Sequence, residues 1–286
     1  MLATRLSILG VGLLGGSIGL AAKAASTSCK ITGYGHRKES LDRALAMGAI
    51  DMAVLTPSDA VRDAQMVILC TPVGAFEELL RQIGPSLAPG TVVTDVGSTK
   101  RSVVRLAEQI LPRGVHFVGS HPMAGSEKRG VEYARADLCR GALCITTPNS
   151  RSDSASVSSV ESFWQSIGMR ITRLSPDDHD RLLSDVSHLP HVLAAAIVML
   201  QTEASTALAG KGFLDTTRIA AGDSGLWRDI FLDNADNLRD SLRRLRVYLD
   251  RFEAMLDPSQ RDELRHWLDS AAQKRRLRSD SGTAGE

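Results

Sequence analysis

No Cys-x-x-Cys pair occurs anywhere in the chain. The four cysteines, Cys29, Cys70, Cys139 and Cys144, therefore argue against a disulfide framework or a structural zinc site. Charge of one sign is missing as well: 34 Lys and Arg stand against 33 Asp and Glu, for a formal net charge of +1. That balance disfavours nucleic acid or an anionic membrane as the main partner. The longest apolar run, Val192 to Leu200, is too short to span a bilayer. Residues 1–20 lack a small-residue cleavage site and read as fold, not as signal peptide. A soluble, cytoplasmic protein is expected. The remaining composition, 43% hydrophobic and 23% charged in 286 residues, suits a globular chain of two domains.

What is present begins at Arg5. A short apolar run, Leu6 to Leu9, is followed at once by Gly10-x-Gly12-x-x-Gly15 and then by small apolar residues at helical spacing from Ser17 to Ala25. Strand, glycine turn and helix in that order form a phosphate-cradling unit. Gly10 allows the tight turn, Gly12 lets backbone approach a pyrophosphate, and Gly15 lets helix and strand pack closely. The helix then points unpaired N–H groups at the phosphates.

To about residue 173, β-type runs alternate with helical patterns. Candidate strands are 5–9, 30–34, 66–69, 91–95, 116–119, 143–146 and 170–173, with helices at 38–47, 75–86, 99–110 and 153–167 between them. The alternation predicts an α/β fold, a doubly wound, mostly parallel Rossmann-type sheet with ligands beyond the carboxyl ends of its strands. Leu13, Leu14, Cys70, Thr71 and Pro72 join the glycines as expected cofactor-binding residues on those loops. From Ser175-Pro-Asp-Asp-His the character changes: a helix start is followed by helical patterns only, at 178–186, 191–208, 226–255 and 259 to about 273. These apolar helices predict an all-α domain that dimerises. The expected division is 1–173, a dinucleotide-binding domain; 174–273, a helical substrate-binding and dimerisation domain; and 274–286, a frayed tail.

An acid that would bind the ribose 2′-hydroxyl of NAD is absent after the second strand, where the sequence reads Gly35-His36-Arg37-Lys38. A carboxylate there would repel a 2′-phosphate, and Arg37 would bind one through a charge-assisted fork. NADP is expected over NAD, with Gly35, His36, Arg37 and Lys38 contacting it.

Three further segments carry candidate chemistry. Ser98, in Asp95-Val-Gly-Ser-Thr-Lys100, reads as an N-cap and as a substrate-facing hydroxyl. His121, in Gly119-Ser-His-Pro-Met-Ala-Gly-Ser126-Glu127, reads as a loop histidine directly after a strand, and a neutral imidazole there suits a general base near pH 7. His188 and His191 in Ser187-His-Leu-Pro-His lack a third ligand of suitable spacing, so no metal is expected. Arg218, in Thr217-Arg-Ile-Ala, suits a carboxylate clamp, with Trp227 nearby.

Taken together, Gly10-x-Gly12-Leu-x-Gly15-Gly16-Ser17, Asp95-Val-Gly-Ser98-x-Lys100, Gly119-Ser-His121-Pro-Met-Ala-Gly-Ser126-Glu127, Ser187-His188-Leu-Pro-His191 and Thr217-Arg218-Ile-Ala resemble the prephenate/arogenate dehydrogenase (TyrA-type) family. The resemblance runs from residue 10 to 225. It implies oxidative decarboxylation of a cyclohexadienyl substrate, prephenate or arogenate, in tyrosine biosynthesis, by a homodimer. No added chorismate mutase or regulatory domain is expected in this length. By resemblance His121 is the catalytic base, with Ser98 as a second partner of the ring hydroxyl. Activity would then fall at acid pH as His121 protonates. Ser120, Ser126, Glu127, His188, His191, Arg218 and Trp227 would bind substrate or order its pocket. Another two-domain dehydrogenase, of β-hydroxyacid or imine type, and a non-catalytic NADP sensor are the alternatives. The choice between prephenate and arogenate stays open.

Overall fold

The computed structural model describes residues 4–125 and 128–280, with side chains to residue 277. Eight strands form one sheet: β1 (Arg5–Leu9), β2 (Lys30–Tyr34), β3 (Met52–Val54), β4 (Met66–Leu69), β5 (Val92–Asp95), β6 (His116–Pro122), β7 (Leu143–Thr147) and β8 (Arg170–Arg173). Their spatial order is β3-β2-β1-β4-β5-β6-β7-β8. Every neighbouring pair is parallel except β6 with β7. Strand residues alternate between two apolar layers, because successive side chains point to opposite faces. Ile8, Ile68 and Val92 enter one layer, and Leu9, Leu69 and Val93 enter the other. Both faces are covered, so the central strands are largely apolar, β4 (Met-Val-Ile-Leu) at every position. Each fully buried branched side chain such as Ile68 contributes roughly 1.5–3 kcal/mol.

Helices cover those faces: α1 (Leu13–Ala25), α2 (Lys38–Ala46), α3 (Pro57–Val61), α4 (Phe76–Ile83), α5 (Arg101–Ile110) and α6 (Ser154–Ser166). The chain reverses its direction across the sheet between β1 and β4, and a crevice opens at the carboxyl ends there. Strand β3 has no counterpart in the sequence reading; three residues at a sheet edge carry too little periodicity to register. Strand β6 also runs further than expected. Antiparallel pairing places Ser120 opposite Thr146 and His121 opposite Ile145, so His121 is the sixth residue of a strand and not part of a loop.

Ser175 caps the next helix, accepting from the Asp178 N–H at 3.0 Å. Helix α7 (Pro176–Leu183), one π-turn (Ser184–His188) and α8 (Leu189–Met199) then run on without a break. The expected gap before His191 is thus absent. Pro190 cannot donate to the carbonyl of Val186, and the wider π-turn accommodates it. Length and composition alone would let residues Pro176–Met199 cross a membrane. That segment is, however, rich in polar residues: His179, Asp180, Ser184 and His188 are buried within the protein, and Asp177, Asp178, Arg181 and Asp185 are exposed. Beyond it come α9 (Glu203–Thr206), α10 (Lys211–Thr217), α11 (Ser224–Asp233), α12 (Ala235–Ala254) and α13 (Arg261–Asp280). Two expected helices are therefore split. Thr202 opens α9 with a capping box, and buried Asn234 separates α11 from α12. Helix α13 continues past Gln273, carried by good helix formers such as Lys274, Arg276 and Leu277.

Two compact units divide after Asn237. Helices α7 to α11 thus belong to the same unit as the sheet. Within the second unit the Phe252 ring lies 5.4 Å from Trp267, and Arg251 pairs with Glu263 at 2.7 Å.

Candidate active site

The glycine turn builds one end of the site from backbone. Gly10 holds φ +109°, and a Cβ there would stand 2.7 Å from the Cys70 carbonyl carbon. A Cβ on Gly15 would collide with the Gly10 carbonyl. The turn therefore lies flat against Cys70-Thr71, and α1 starts close behind it. Gly12, the α1 N-cap, offers no side-chain cap, the first turn carries no acid, and the space a Gly12 Cβ would fill is empty. Thr71 adds a buried hydroxyl without a hydrogen-bond partner among the described residues. Free N–H groups, no competing carboxylate and an open approach fit a dinucleotide pyrophosphate. At the β2 end, Tyr34 and His36 lie 3.2 Å apart. Lys38 is engaged by Asp42 at 2.9 Å, whereas Arg37 is exposed and has no ion-pair partner among the described residues. Of the four residues expected to meet a 2′-phosphate, Arg37 is the available cation.

A cavity of about 790 Å³ extends from this turn. Leu13, Leu14, Cys70, Thr71, Pro72, Ser98 and His121 line it together with His191, Arg218 and Trp227. That volume suits a small ligand beside a cofactor head. Lys128, Arg129 and Asp223 complete one wall, where Arg129 pairs with Asp223.

His121 is 7% exposed, and its Nδ1 lies 2.9 Å from Nε2 of His179. Nδ1 of His179 lies 2.8 Å from Oδ1 of Asp180. Asp180 also accepts the N–H groups of Lys100 (2.8 Å) and Arg101 (2.9 Å), which caps α5 from another helix. Ser98 is therefore not the N-cap: that position is Lys100, and the orphan donors are met by Asp180, which frees the Ser98 hydroxyl for the cavity. Burial, reinforced by His179, Lys100 and His188, holds the His121 imidazole well below the ordinary histidine range. Burial works against ionised Asp180, but its hydrogen bonds to His179 and to backbone keep it below the usual carboxylate range.

The two histidines of the His-Leu-Pro-His segment separate. His191 lines the cavity and stacks on Trp227 at 3.6 Å, a contact that only Gly222 permits, since a Cβ there would meet Trp227 at 2.7 Å. His188 is fully buried behind it and sits 3.1 Å from the Asn234 amide nitrogen. Burial pushes the His188 imidazole down to about 4 and lowers that of His191 as well. His188 does not reach the cavity, which corrects its placement among the substrate-binding residues.

Ser120 is corrected in the same way. Its hydroxyl is fully buried, 2.7 Å from the Thr94 hydroxyl, and accepts from the Trp164 indole at 3.0 Å. Below it Asp95 and Lys100 form a fully buried ion pair, with Asp95 also accepting the N–H of Ser120 (3.0 Å) and of Gly97 (2.8 Å). That pair props the loop carrying Ser98 against the strand carrying His121. Ser126 and Glu127 lie outside the described residues. No group of three or more His, Cys, Asp or Glu side chains that could hold a metal occurs among the described residues.

Sequence reasoning missed His179 and Asp180, reading them only as the start of a helix. A signal existed. Asp180, Ser184, His188 and His191 recur at steps of four, four and three, which puts four polar residues on one face of the helix.

Comparison with known proteins places these features in context. The family described as prephenate dehydrogenase, nucleotide-binding domain, matches residues 18–173, and that described as prephenate dehydrogenase, dimerization domain, matches 175–270. A prephenate dehydrogenase of Bacillus subtilis is 36% identical over 262 residues, covering 86% of this chain and 70% of the relative. A cyclohexadienyl dehydrogenase of Zymomonas mobilis is 31% identical over 284 residues, covering 96% and 97%. Among solved structures, prephenate dehydrogenase from Aquifex aeolicus in complex with hydroxyphenyl propionate and NAD+ superposes with a TM-score of 0.90 at 33% identity. It covers 97% of this chain and 98% of that one.

Proposed function

The chain belongs to the prephenate dehydrogenase family, and from that premise we propose that it catalyses oxidative decarboxylation of a cyclohexadienyl acid, prephenate or arogenate, in tyrosine biosynthesis. The observation that carries the reading is a neutral, buried His121 on the cavity that begins at the glycine turn.

Gly10, Gly12, Gly15, the α1 N–H groups and Thr71 would hold the dinucleotide; when bound, its oxidised nicotinamide supplies the hydride acceptor. His121 takes the proton of the ring 4-hydroxyl as hydride leaves the same carbon, so that carbon becomes a carbonyl. Ser98 offers a second hydrogen bond to that oxygen. Arg218 clamps a substrate carboxylate, and His191, neutral through burial, donates a hydrogen bond without adding charge. Trp227 fixes the His191 ring by stacking. As the ring carboxylate leaves as CO₂, its electron pair aromatises the ring, and His121 returns the proton to the phenolate oxygen. Atoms and charge then balance with one dinucleotide reduced per CO₂ released.

NADP is the cofactor we favour, supported by the missing acid after β2 and by the exposed Arg37, which has no ion-pair partner among the described residues. A homodimer through the helical residues 174–273 is supported by the dimerization-domain match. Exposed apolar side chains add to it, among them Val198, Met199 and Leu208 in one unit and Val247, Tyr248 and Leu249 in the other. A cytoplasmic location accords with four free cysteines, three of them buried.

The test is direct. Purified protein is mixed with NADP+ or NAD+ and then with prephenate or arogenate, and reduced dinucleotide and CO₂ are measured together. Equimolar formation of both is expected, faster with NADP+. Absence of dinucleotide reduction with either acid would refute the reading.

A further inference from the structure

We infer that His179 and Asp180 are positioning residues that fix His121 as the tautomer protonated on Nδ1, leaving the lone pair of that ring on Nε2, toward the cavity. The inference rests on the proposed role of His121 as base and adds how that role is enforced.

The direction of each hydrogen bond follows from what surrounds Asp180. Two of its neighbours, the N–H groups of Lys100 and Arg101 at 2.8 and 2.9 Å, can only donate. A carboxylate held by two fixed donors is an acceptor toward the third, so the 2.8 Å contact with His179 is a donation from its Nδ1–H. Neutral His179 then carries no proton on Nε2 and can only accept there. The 2.9 Å contact with His121 must therefore be a donation from the His121 Nδ1–H. With that proton assigned, His121 Nε2 holds a lone pair. It has no protein partner among the described residues, and the ring lines the cavity. The opposite tautomer would set an N–H at the ring hydroxyl and leave His121 Nδ1 and His179 Nε2 as two lone pairs face to face.

The arrangement spans three elements of the fold. His121 comes from β6, His179 and Asp180 from α7, and the donors that orient Asp180 from the start of α5. Docking of α7 on α5 thereby sets a proton position on β6. The logic is that of a carboxylate orienting a histidine base, with a second imidazole interposed, and loss of the correct tautomer in such systems costs up to about 10⁴ in turnover.

Three measurements test it on the full-length protein. Long-range ¹H–¹⁵N correlation on histidine-labelled parent protein should show His121 protonated on Nδ1 and not on Nε2 at pH 7.5. His179→Leu should mix or reverse that tautomer and lower kcat by about 10² or more, with KM for substrate and cofactor affinity little changed. His179→Gln, which keeps an acceptor toward His121 and a donor toward Asp180, should recover kcat to within about tenfold of the parent. A parent His121 protonated on Nε2 would overturn the inference. So would His179→Leu at parental kcat, or His179→Gln as impaired as His179→Leu. The tautomer measurement needs no variant to fold and no substrate, so it fails or succeeds separately from the proposed activity.

Discussion

The cavity has two ends made in different ways. At the cofactor end, backbone does the work: six residues from Gly10 to Gly15 and the adjoining Cys70-Thr71 shape it, and few polar side chains take part. At the substrate end, side chains from β6, α8, the turn after α10 and α11 converge; His121 is held by His179 and Asp180 of α7, and His191 by stacking on Trp227. The first end excludes a Cβ at Gly10 and Gly15 but asks little of its neighbours. The second depends on partners more than fifty residues away in sequence, as His121 depends on His179. A phosphate can be held by N–H groups that any residue supplies, whereas proton abstraction needs one imidazole in one protonation state.

The contrast predicts how each end breaks. His121→Asn should lower kcat by about 10²- to 10⁴-fold while dinucleotide affinity, measured by fluorescence titration, stays as in the parent. Equal loss of both would mean that the two ends are not separable. Next comes acid stability. His188, with its imidazole at about 4, stays neutral in the folded protein, while the unfolded chain takes up a proton below the ordinary value near 6.5. Its contribution is therefore complete above about pH 6.5 and is lost as pH falls toward 4. Over that window the loss amounts to roughly 3 kcal/mol, and burial of His121, His179 and His191 adds in the same direction. Urea midpoints at pH 7.5 and pH 5 should show it; equal midpoints would say that the histidines are not buried neutral.

Ser120→Ala sharpens the comparison from inside the sheet. Trp164 would lose its acceptor and Thr94 a partner, so a stability loss of about 1–3 kcal/mol is expected with KM unchanged. A raised KM with parental stability would return Ser120 to the substrate-binding set. The smallest effect belongs to the cofactor end: Arg37→Ser should reduce the kcat/KM preference for NADP over NAD by about tenfold, the worth of one charge-assisted contact. An unchanged ratio would remove Arg37 from cofactor choice.

This division also explains what could be read from the sequence. Gly10, Gly12 and Gly15 follow β1 immediately, so strand, turn and helix were legible together. The bounds of β1, β2, β4 and β8 were legible to the residue; for β4, Met66–Leu69, the reason is that a strand buried at every position has no polar residue to blur its ends. Ser98, His121, His191, Arg218 and Trp227 were singled out by residue type and loop position, and they do share one cavity. What sequence could not separate was direction. Ser120 and His121 are neighbours, yet alternation along β6 sends one hydroxyl to Trp164 and one ring to the cavity. His188 and His191 differ by less than one helical turn, and the π-turn and Pro190 decide which of them lines the cavity. The polar spacing around Asp180 could be read, but its role could not, because two of its donors come from residues 100 and 101, far away in sequence.

The pH dependence of kcat/KM for the cyclohexadienyl substrate probes the neutral imidazole most directly. The parent enzyme should hold a plateau from pH 8 down through 6.5, with its acid fall displaced well below the ordinary histidine value, and His121→Asn should lack that limb at a much lower rate. A fall centred at 6.5 or above, or the same limb in both proteins, would contradict a buried, uncharged His121 as the base.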